Sequence, residues 1–230
     1  MPASAFDPEK PPELAVTRWF NTPDPLTLAS LKGRVVAVLA FQMLCPGCVS
    51  HALPQARKLS RQFSDDQVAV IGLHSVFEHH AAMGPEALEA FIHQYDWRFP
   101  IAVDTPASGE PGLPKTMAAY EMRGTPTLLL FDRQGRLRRH YFGQLDDMRL
   151  AAEAMALAIE RADAPREASV AIERMLHQTL VDPDAHDHHH EHGPDCDHDH
   201  DHGHQHGPDC NHGDDHHAHE HAPEAGRPRR

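Results

Sequence analysis

Two cysteines separated by two residues, Cys45 and Cys48, have the spacing in this chain that most directly indicates chemistry. Such a pair can close a disulfide or help to hold a metal, and the segments around it favour one or the other. An apolar run over residues 35–41 precedes the pair, and an amphipathic segment over residues 49–63 follows it. This order of buried strand, turn and helix favours thiol–disulfide chemistry.

The helix predicted after the pair gives the two thiols different roles. Backbone N–H groups and the dipole at a helix N-terminus favour an anion, so we expect the Cys45 thiol to ionise more easily. Because a thiolate attacks disulfides and a thiol does not, we predict that Cys45 is the nucleophile and Cys48 the resolving thiol. Pro46 and Gly47 lie between them and are expected to contact the substrate.

Other interpretations of these residues stay open. The cysteines would be inert if both were buried, and a zinc knuckle would need a second ligand pair that the body of the chain does not supply. His51, three residues after Cys48, could lower a thiol pKa through its charge. His74, His79 and His80 follow the second predicted strand and could line the site or bind metal, although such histidines are more often solvated.

Composition excludes several classes of function. The chain has 230 residues and a net charge of −13, and residues 184–230 contribute 12 acidic and 3 basic residues to it. The remainder is mildly acidic, so we expect no nucleic-acid partner. No segment has the roughly 20 apolar residues of a membrane span, and residues 1–10 lack the features of a secretory signal. We therefore expect a cytoplasmic protein, in which a CxxC pair is catalytic or redox-sensing.

The apolar pattern predicts strands that alternate with helices and end in a hairpin and a helix, which indicates an α/β sandwich with a mixed sheet. The predicted strands cover residues 35–41, 68–73, 99–104, 127–131 and 137–142, with one or two shorter strands at 13–20 and 26–28. The predicted helices cover residues 49–63 with a kink at Pro54, then 85–95, 115–122, 146–161 and 168–180.

Four segments follow from this pattern. Residues 1–12 contain four prolines and are expected to form a flexible arm. Residues 13–163 form the folded domain, and residues 164–183 an amphipathic helix with a linker. Residues 184–230 have almost no apolar side chains, so we expect them to be disordered without metal.

A second motif, Gly124-Thr125-Pro126, enters the apolar strand at residues 127–131. Proline at a strand entry is by itself often only an edge or strand-start residue. Together with the CxxC pair, however, the motif resembles the thioredoxin superfamily, most closely the TlpA-like and AhpC/TSA-type redoxins. The resemblance covers roughly residues 13–162 and implies a thioredoxin-like three-layer sandwich with a mixed central sheet.

The resemblance also implies roles for individual residues. Pro126 would be cis, face the CxxC pair and keep metals away from the thiols, and Thr125 would present backbone groups to a substrate strand beside Cys45. The implied activity is thiol–disulfide exchange without a cofactor in the redox domain. A disulfide-bearing protein or a small thiol would be the substrate, and an external reductant would be needed. Leu44 replaces a usual tryptophan, and Leu39 a buried carboxylate.

A peroxide-reducing antioxidant activity is the alternative enzyme function. Peroxiredoxins have the motif P-x-x-x-T-x-x-C, which ends at the reactive cysteine. This chain has Val38 and Gln42 at the proline and threonine positions before Cys45. Without the threonine hydroxyl, a peroxide has no matching hydrogen-bond partner. We therefore favour thiol–disulfide exchange.

The C-terminal segment has a different chemistry. Residues 184–230 hold 15 of the 22 histidines and the other two cysteines, and a His-Gly-Pro-Asp-Cys unit occurs twice, 14 residues apart. Imidazole and thiolate suit Zn²⁺, Ni²⁺, Co²⁺ and Cu²⁺, so we predict a flexible metal-binding tail. The expected ligands are His188, His189, His190, His192, Cys196, His198, His200, His202, His204, His206, Cys210, His212, His216 and His217.

Three further hypotheses concern this tail. It could be a solubilising segment whose metal affinity is incidental. It could instead carry the whole function, as a metal buffer or chaperone for which the redoxin body is a docking scaffold. In a combined role, the domain would keep Cys196 and Cys210 reduced and therefore competent as ligands.

Overall fold

The fold is described from a computed structural model, and the described residues are 6–108 and 112–161 together with four helical positions further on. Those four are Val170, Ala171, Arg174 and Met175. All belong to the first of the two units into which the chain divides, residues 1–185. The rest of the helix predicted at 168–180, and the whole tail at 184–230, lie outside the described residues.

Six strands and four α-helices make up the described part of the chain. The strands are β1 (Val16–Phe20), β2 (Val35–Phe41), β3 (Val68–His74), β4 (Ile101–Asp104), β5 (Thr127–Phe131) and β6 (Leu137–Phe142). The α-helices are α1 (Leu53–Gln62), α2 (Pro85–Tyr95), α3 (Lys115–Ala119) and α4 (Asp147–Ile159). A π-helical turn (Cys48–Ala52) precedes α1, and a short 3₁₀ turn (His80–Ala82) precedes α2.

The strands form one mixed sheet in the order β1-β4-β3-β2-β5-β6. Strands β2, β3 and β4 are parallel, and β1, β5 and β6 each run antiparallel to their neighbours. All seven residues of β2 are buried, as expected for a central strand that is covered on both faces. The predicted α/β sandwich with a mixed sheet is confirmed.

Two apolar layers cover the two faces of the sheet, because successive side chains of each strand point in opposite directions. One layer joins alternate β2 residues to α1, α2 and α4 through side chains such as Leu53, Leu88 and Leu157. The other joins the remaining β2 residues to the α3 region and the N-terminal segment through Met117 and Leu31. The central strands of the sheet are therefore packed on both faces.

Residues 26–28 do not form the predicted strand. The Glu13 carboxylate accepts hydrogen bonds from the Leu28 and Ala29 amides at 2.7 and 2.9 Å, and Thr27 and Ser30 bond each other's amides through their hydroxyls. These side chains take up the backbone donors that a strand ladder would need, so the segment turns instead. The first strand is also shorter than predicted, because it begins at Val16.

Three other predicted elements are shorter in the structure than in the sequence prediction. The strand predicted at 99–104 begins at Ile101, after Pro100. The helix predicted at 115–122 ends at Ala119, and Glu121 then adopts a positive φ of 51°. The helix predicted at 146–161 is α4 (Asp147–Ile159), in which Asp146 is the N-cap and accepts a hydrogen bond from the Arg149 amide.

Residues 6–12 contact the body, although residues 1–12 were expected to be a flexible arm. The Leu137 amide donates to the Pro8 carbonyl at 2.8 Å, and the Tyr120 hydroxyl donates to the Pro12 carbonyl. The Phe6 ring packs edge-on against Tyr120, with 5.0 Å between the ring centroids. Because prolines remove backbone donors but keep their carbonyls, this segment docks through acceptors and an aromatic ring.

A π-helical turn lies immediately before Leu53 and Pro54, the region in which a kink was predicted. Pro54 has no N–H to donate to the Ser50 carbonyl, four residues back. The Leu53 amide donates to the Cys48 carbonyl, which is five residues back, as in a π-helix. The Ser50 hydroxyl donates to the Pro46 carbonyl at 2.7 Å. This wider turn belongs to the same helical segment that begins at the CxxC pair.

Candidate active site

The CxxC pair lies just after the carboxyl end of β2, at the start of a helix. The Cys45 amide donates to the Gln42 carbonyl at 3.2 Å, which shapes the turn before the helix. Helical structure begins at Pro46, where a missing N–H costs no hydrogen bond. The amides of Cys48 and Val49 both donate to the Cys45 carbonyl at 3.1 Å. The predicted order of strand, turn and helix is therefore present.

The two thiols differ in exposure and in proton affinity. Both are free thiols; Cys45 is partly exposed, whereas Cys48 is fully buried. Burial, and next a hydrogen bond with the Cys45 side chain, raise the pKa of Cys48 to about 12. Cys48 is therefore a protonated thiol at neutral pH, and Cys45 is the sulfur that an incoming molecule can reach.

The loop before β5 lies directly against the pair. The Thr125–Pro126 peptide bond is cis, and the Cys45 Sγ lies 3.5 Å from the Thr125 carbonyl oxygen. A Cβ placed on Gly47 would be 3.6 Å from Pro126 Cδ, so the chain between the cysteines packs closely on the proline. The structure thus brings together all six residues predicted for the redox site: Cys45, Pro46, Gly47, Cys48, Thr125 and Pro126.

Two exposed apolar side chains, Leu44 and Phe142, lie near these residues, and the sequence did not predict Phe142 at the site. Leu44 is 56% exposed beside Cys45, and Phe142 is 51% exposed at the end of β6. A Cβ on Gly124 would be only 2.9 Å from the Phe142 ring, so the aromatic side chain lies against the motif that ends in Pro126. The Arg123 guanidinium lies 5.7 Å from the centre of the same ring.

The Gln42 side chain is hydrogen-bonded to the loop after β3. It is buried, accepts a hydrogen bond from the Phe77 amide at 3.3 Å and donates to the Glu78 carboxylate at 3.4 Å. The residue at the peroxiredoxin threonine position therefore holds the loop after β3. Both of these hydrogen bonds are to the loop after β3 and not to Cys45.

His51 contacts the loop before α4 rather than a thiol. One ring nitrogen lies 3.0 Å from the Leu145 carbonyl, to which Gln55 also donates at 2.7 Å. Gln55 and Lys58 both bond the Asp147 carboxylate, and these contacts hold the pKa of Asp147 below its usual value. This network fastens the active-site helix to the segment before α4.

His74 is the last residue of β3, whereas it was predicted to follow that strand. It is 1% exposed and packs against Phe41, with 5.2 Å between the ring centroids. Its Nε2 has no hydrogen-bond partner among the described residues, and burial lowers the pKa of His74 to about 4. His79 and His80 are exposed.

The predicted metal ligands, from His188 to His217, lie outside the described residues. Within residues 6–108 and 112–161, no group of three or more histidine, cysteine or acidic side chains is arranged to hold a metal. No helix in this same part of the chain is long and apolar enough to cross a membrane.

The model of the redoxin family matches residues 9–155, which is more than half of the chain. The chain belongs to the redoxin family. The comparison with curated proteins gives no match.

Two solved structures are similar to this redoxin. One is a thioredoxin-like superfamily protein, SPOA0173, with 53% identity, 68% of this chain and 99% of that chain covered, and a TM-score of 0.64. The other is described as a thiol-disulfide isomerase from Corynebacterium glutamicum, with 48% identity, 66% of this chain and 98% of that chain covered, and a TM-score of 0.64. The similarity therefore extends over almost the whole length of each of these two solved structures.

Proposed function

We propose that this redoxin is a thiol–disulfide oxidoreductase in which Cys45 and Cys48 are the redox pair. The observation that carries the proposal is the difference between the two sulfurs, one accessible beside the Thr125 carbonyl and the other buried and protonated. The isomerase described among the similar structures supports the same class of reaction. Disulfide-bearing proteins or small disulfides are the proposed substrates, and an external reductant restores the dithiol.

The reaction proceeds in two exchanges. The Cys45 thiolate attacks one sulfur of the substrate disulfide, forms a mixed disulfide and releases the other substrate sulfur as a thiolate. The Cys48 thiol then gives its proton to the substrate thiolate released in the first exchange, and the Cys48 thiolate attacks the Cys45 sulfur. The Cys45–Cys48 disulfide forms, the second substrate thiolate leaves, and two electrons have passed from the protein to the substrate.

The first exchange prepares the second. The hydrogen bond with Cys45 and the charge of Cys45 both help to raise the pKa of Cys48. Once Cys45 is bonded to substrate sulfur, it carries no negative charge and is a weaker acceptor, so both influences diminish. We infer that Cys48 becomes easier to deprotonate when the mixed disulfide forms, while the Thr125 side chain continues to lower its pKa.

The test is reduction of a protein disulfide by the full chain with an excess of dithiol. We expect Cys45→Ser to abolish the reduction. The matched control is Cys196→Ser with Cys210→Ser, which removes the other two cysteines and should retain the activity. An active Cys45→Ser chain would refute the proposal. Peroxide consumption in the same assay, with a sulfenic acid trapped at Cys45, would favour the peroxidase alternative.

We also propose that residues 184–230 bind Zn²⁺, Ni²⁺, Co²⁺ or Cu²⁺, on the strength of their histidines and the two His-Gly-Pro-Asp-Cys units. Titration of the full chain against a coloured chelator should show several ions bound at pH 7.5 and fewer at pH 5.5, because histidine protonates near pH 6.5. Cys196→Ser with Cys210→Ser should weaken the Zn²⁺ binding. A chain that ends at residue 183 and binds as much metal would contradict the proposal.

The cytoplasm is the proposed compartment, because its thiols are kept reduced and would supply the reductant. Fractionation of cells with an antibody against the folded domain tests this location. Recovery of the chain outside the cytoplasm would contradict it.

A further inference from the structure

A cavity of about 430 Å³ lies at the other end of the central strands from the thiols. Arg34, which immediately precedes β2, is one of its lining residues, whereas Cys45 follows the opposite end of β2. A seven-residue strand spans about 20 Å, so the cavity is separate from the redox site. It also borders Val70, which lies in the part of β3 that is not paired with the shorter strand β4.

Positive charge is concentrated at this cavity. Four arginines line it, against two aspartates, in a chain whose net charge is −13. They come from three segments: Arg34 before β2, Arg57 and Arg61 on α1, and Arg98 before β4. Arg98 is paired with one of the aspartates, Asp96, at 2.9 Å.

The remaining three arginines are not neutralised in the same way. Arg34 donates to the backbone carbonyl of Asp65 at 3.3 Å. The Arg57 guanidinium lies over the Trp97 ring, 4.0 Å from its centre, which orients it without an ion pair. Arg61 makes no hydrogen bond or ion pair with any residue that the structure describes. The Arg34 charge also acts on the nearby Asp66 carboxylate, and the Asp65 side chain lines the cavity as well. Arg57 and Arg61 have no such ion pair, and guanidinium groups that share a cavity in this way favour an anion between them.

The cavity wall is not only charged. Leu26, Leu31, Ile71 and Phe99 supply an apolar surface, and Ser60 adds a hydroxyl. Ligand sites commonly have volumes of about 300 to 1,000 Å³ and combine apolar walls with a few polar groups, and this cavity is at the small end of that range. Its lining therefore suits a compact molecule with one anionic end and one apolar end.

We propose that this cavity binds a small organic anion whose carboxylate or phosphate group is held by Arg57 and Arg61. The apolar part of the ligand packs against Leu31 and Phe99. Arg57 is oriented by its contact with Trp97, so a bound anion changes the surroundings of that indole. The site acts independently of thiol chemistry and adds a second ligand to this redoxin.

The test uses Trp97 fluorescence in the full chain carrying Trp19→Phe, which removes the only other tryptophan. Phenyl phosphate is titrated at constant ionic strength. We expect a saturable change in fluorescence, with weaker binding of inorganic phosphate and none of phenol. A linear response to all three compounds, or tighter binding of phenol than of phenyl phosphate, would overturn the proposal.

Two variants establish that the arginines are responsible. Arg61→Gln should weaken the binding of phenyl phosphate about tenfold, because a hydrogen bond to a charged group is lost. Lys115→Gln removes the same charge from an exposed position on α3 and should leave the affinity unchanged. Equal affinities in Arg61→Gln and the parent chain would contradict the proposal. Arg57→Lys keeps the charge but not the planar guanidinium. Its affinity for phenyl phosphate should lie between those of the parent chain and Arg61→Gln.

Discussion

The two ends of strands β2 and β3 use different physical means to prepare a site. At the carboxyl end, the thiols meet a backbone carbonyl, a cis proline and apolar neighbours, and burial sets the proton affinity of Cys48. At the amino end, arginines from three segments surround a cavity, and Arg57 is oriented by an aromatic ring. One end therefore depends on desolvation, and the other on charge.

This difference decides which substitutions should matter at each end. A buried group at the carboxyl end controls protonation, so its effects depend on pH. An arginine at the amino end acts through charge and stacking, so its effects depend on salt and on the aromatic partner.

Cys48→Ser should reduce steady-state disulfide reduction about a thousandfold, because an internal thiol resolves the mixed disulfide far faster than a thiol from solution. Attack by Cys45 should persist, so a covalent adduct with the substrate should accumulate. Mass spectrometry of the quenched reaction measures the adduct. If the variant turned over normally and without an adduct, Cys48 would have no resolving role.

His74→Phe should remove an acid sensitivity that the parent chain has. The unfolded chain protonates this histidine near pH 6.5, whereas the folded chain does so only near pH 4. Its contribution is therefore present above pH 6.5 and lost as the pH falls to 4, by about 3 kcal/mol. Urea unfolding at pH 7 and pH 4 measures the loss.

The control for this pH dependence is His80→Gln, at an exposed position in the following loop. We expect His80→Gln to lose as much free energy of unfolding between the two pH values as the parent chain. An equal loss in His74→Phe would show that burial of His74 does not set the acid sensitivity.

Pro126→Ala should lower kcat/KM for disulfide reduction about tenfold, because misplacement of neighbouring groups by a fraction of an ångström weakens in-line attack. The proline is buried against Gly47, and its carbonyl accepts a hydrogen bond from the Gly143 amide at 2.8 Å. Pro100→Ala, at the other end of the sheet, should leave kcat/KM unchanged. Equal effects of the two substitutions would remove the distinction between the two ends.

Arg57→Gln should lower the free energy of unfolding by about 1 kcal/mol, because the cation–π contact with buried Trp97 is lost. Arg123→Gln is the comparison at the redox end, where the guanidinium lies 5.7 Å from an exposed ring. We expect it to cost less than about 0.5 kcal/mol. Urea denaturation measures both, and a larger cost for Arg123→Gln would reverse the comparison.

The elements that position the redox pair were predictable because their signals are local. The apolar runs of β2, β5 and β6 and the proline-initiated helix α2 have the bounds read from the sequence. The turn at residues 26–28 was missed, because the Glu13 side chain that takes its donors is 15 residues away from Leu28. A pattern of apolar residues carries no information on such a contact.

The candidate site was predictable only in part, for a similar reason. The CxxC pair and the Gly124-Thr125-Pro126 motif are visible in the sequence, but the position of the exposed Phe142 ring beside them depends on its contact with Gly124, 18 residues earlier in the chain. Burial of His74 depends on its packing against Phe41. The arginine cavity joins residues from 34 to 98, which only the order of the strands brings together.

The most direct test of the account is a redox titration of Cys45 and Cys48 in the chain carrying Cys196→Ser and Cys210→Ser. The protein is equilibrated in defined thiol buffers, and the free thiols are counted by alkylation and mass spectrometry. We expect one transition in which both thiols are lost together, with a tenfold change in the equilibrium for about every 30 mV. Two thiols that stay free at every potential would contradict the central claim that they form a redox pair.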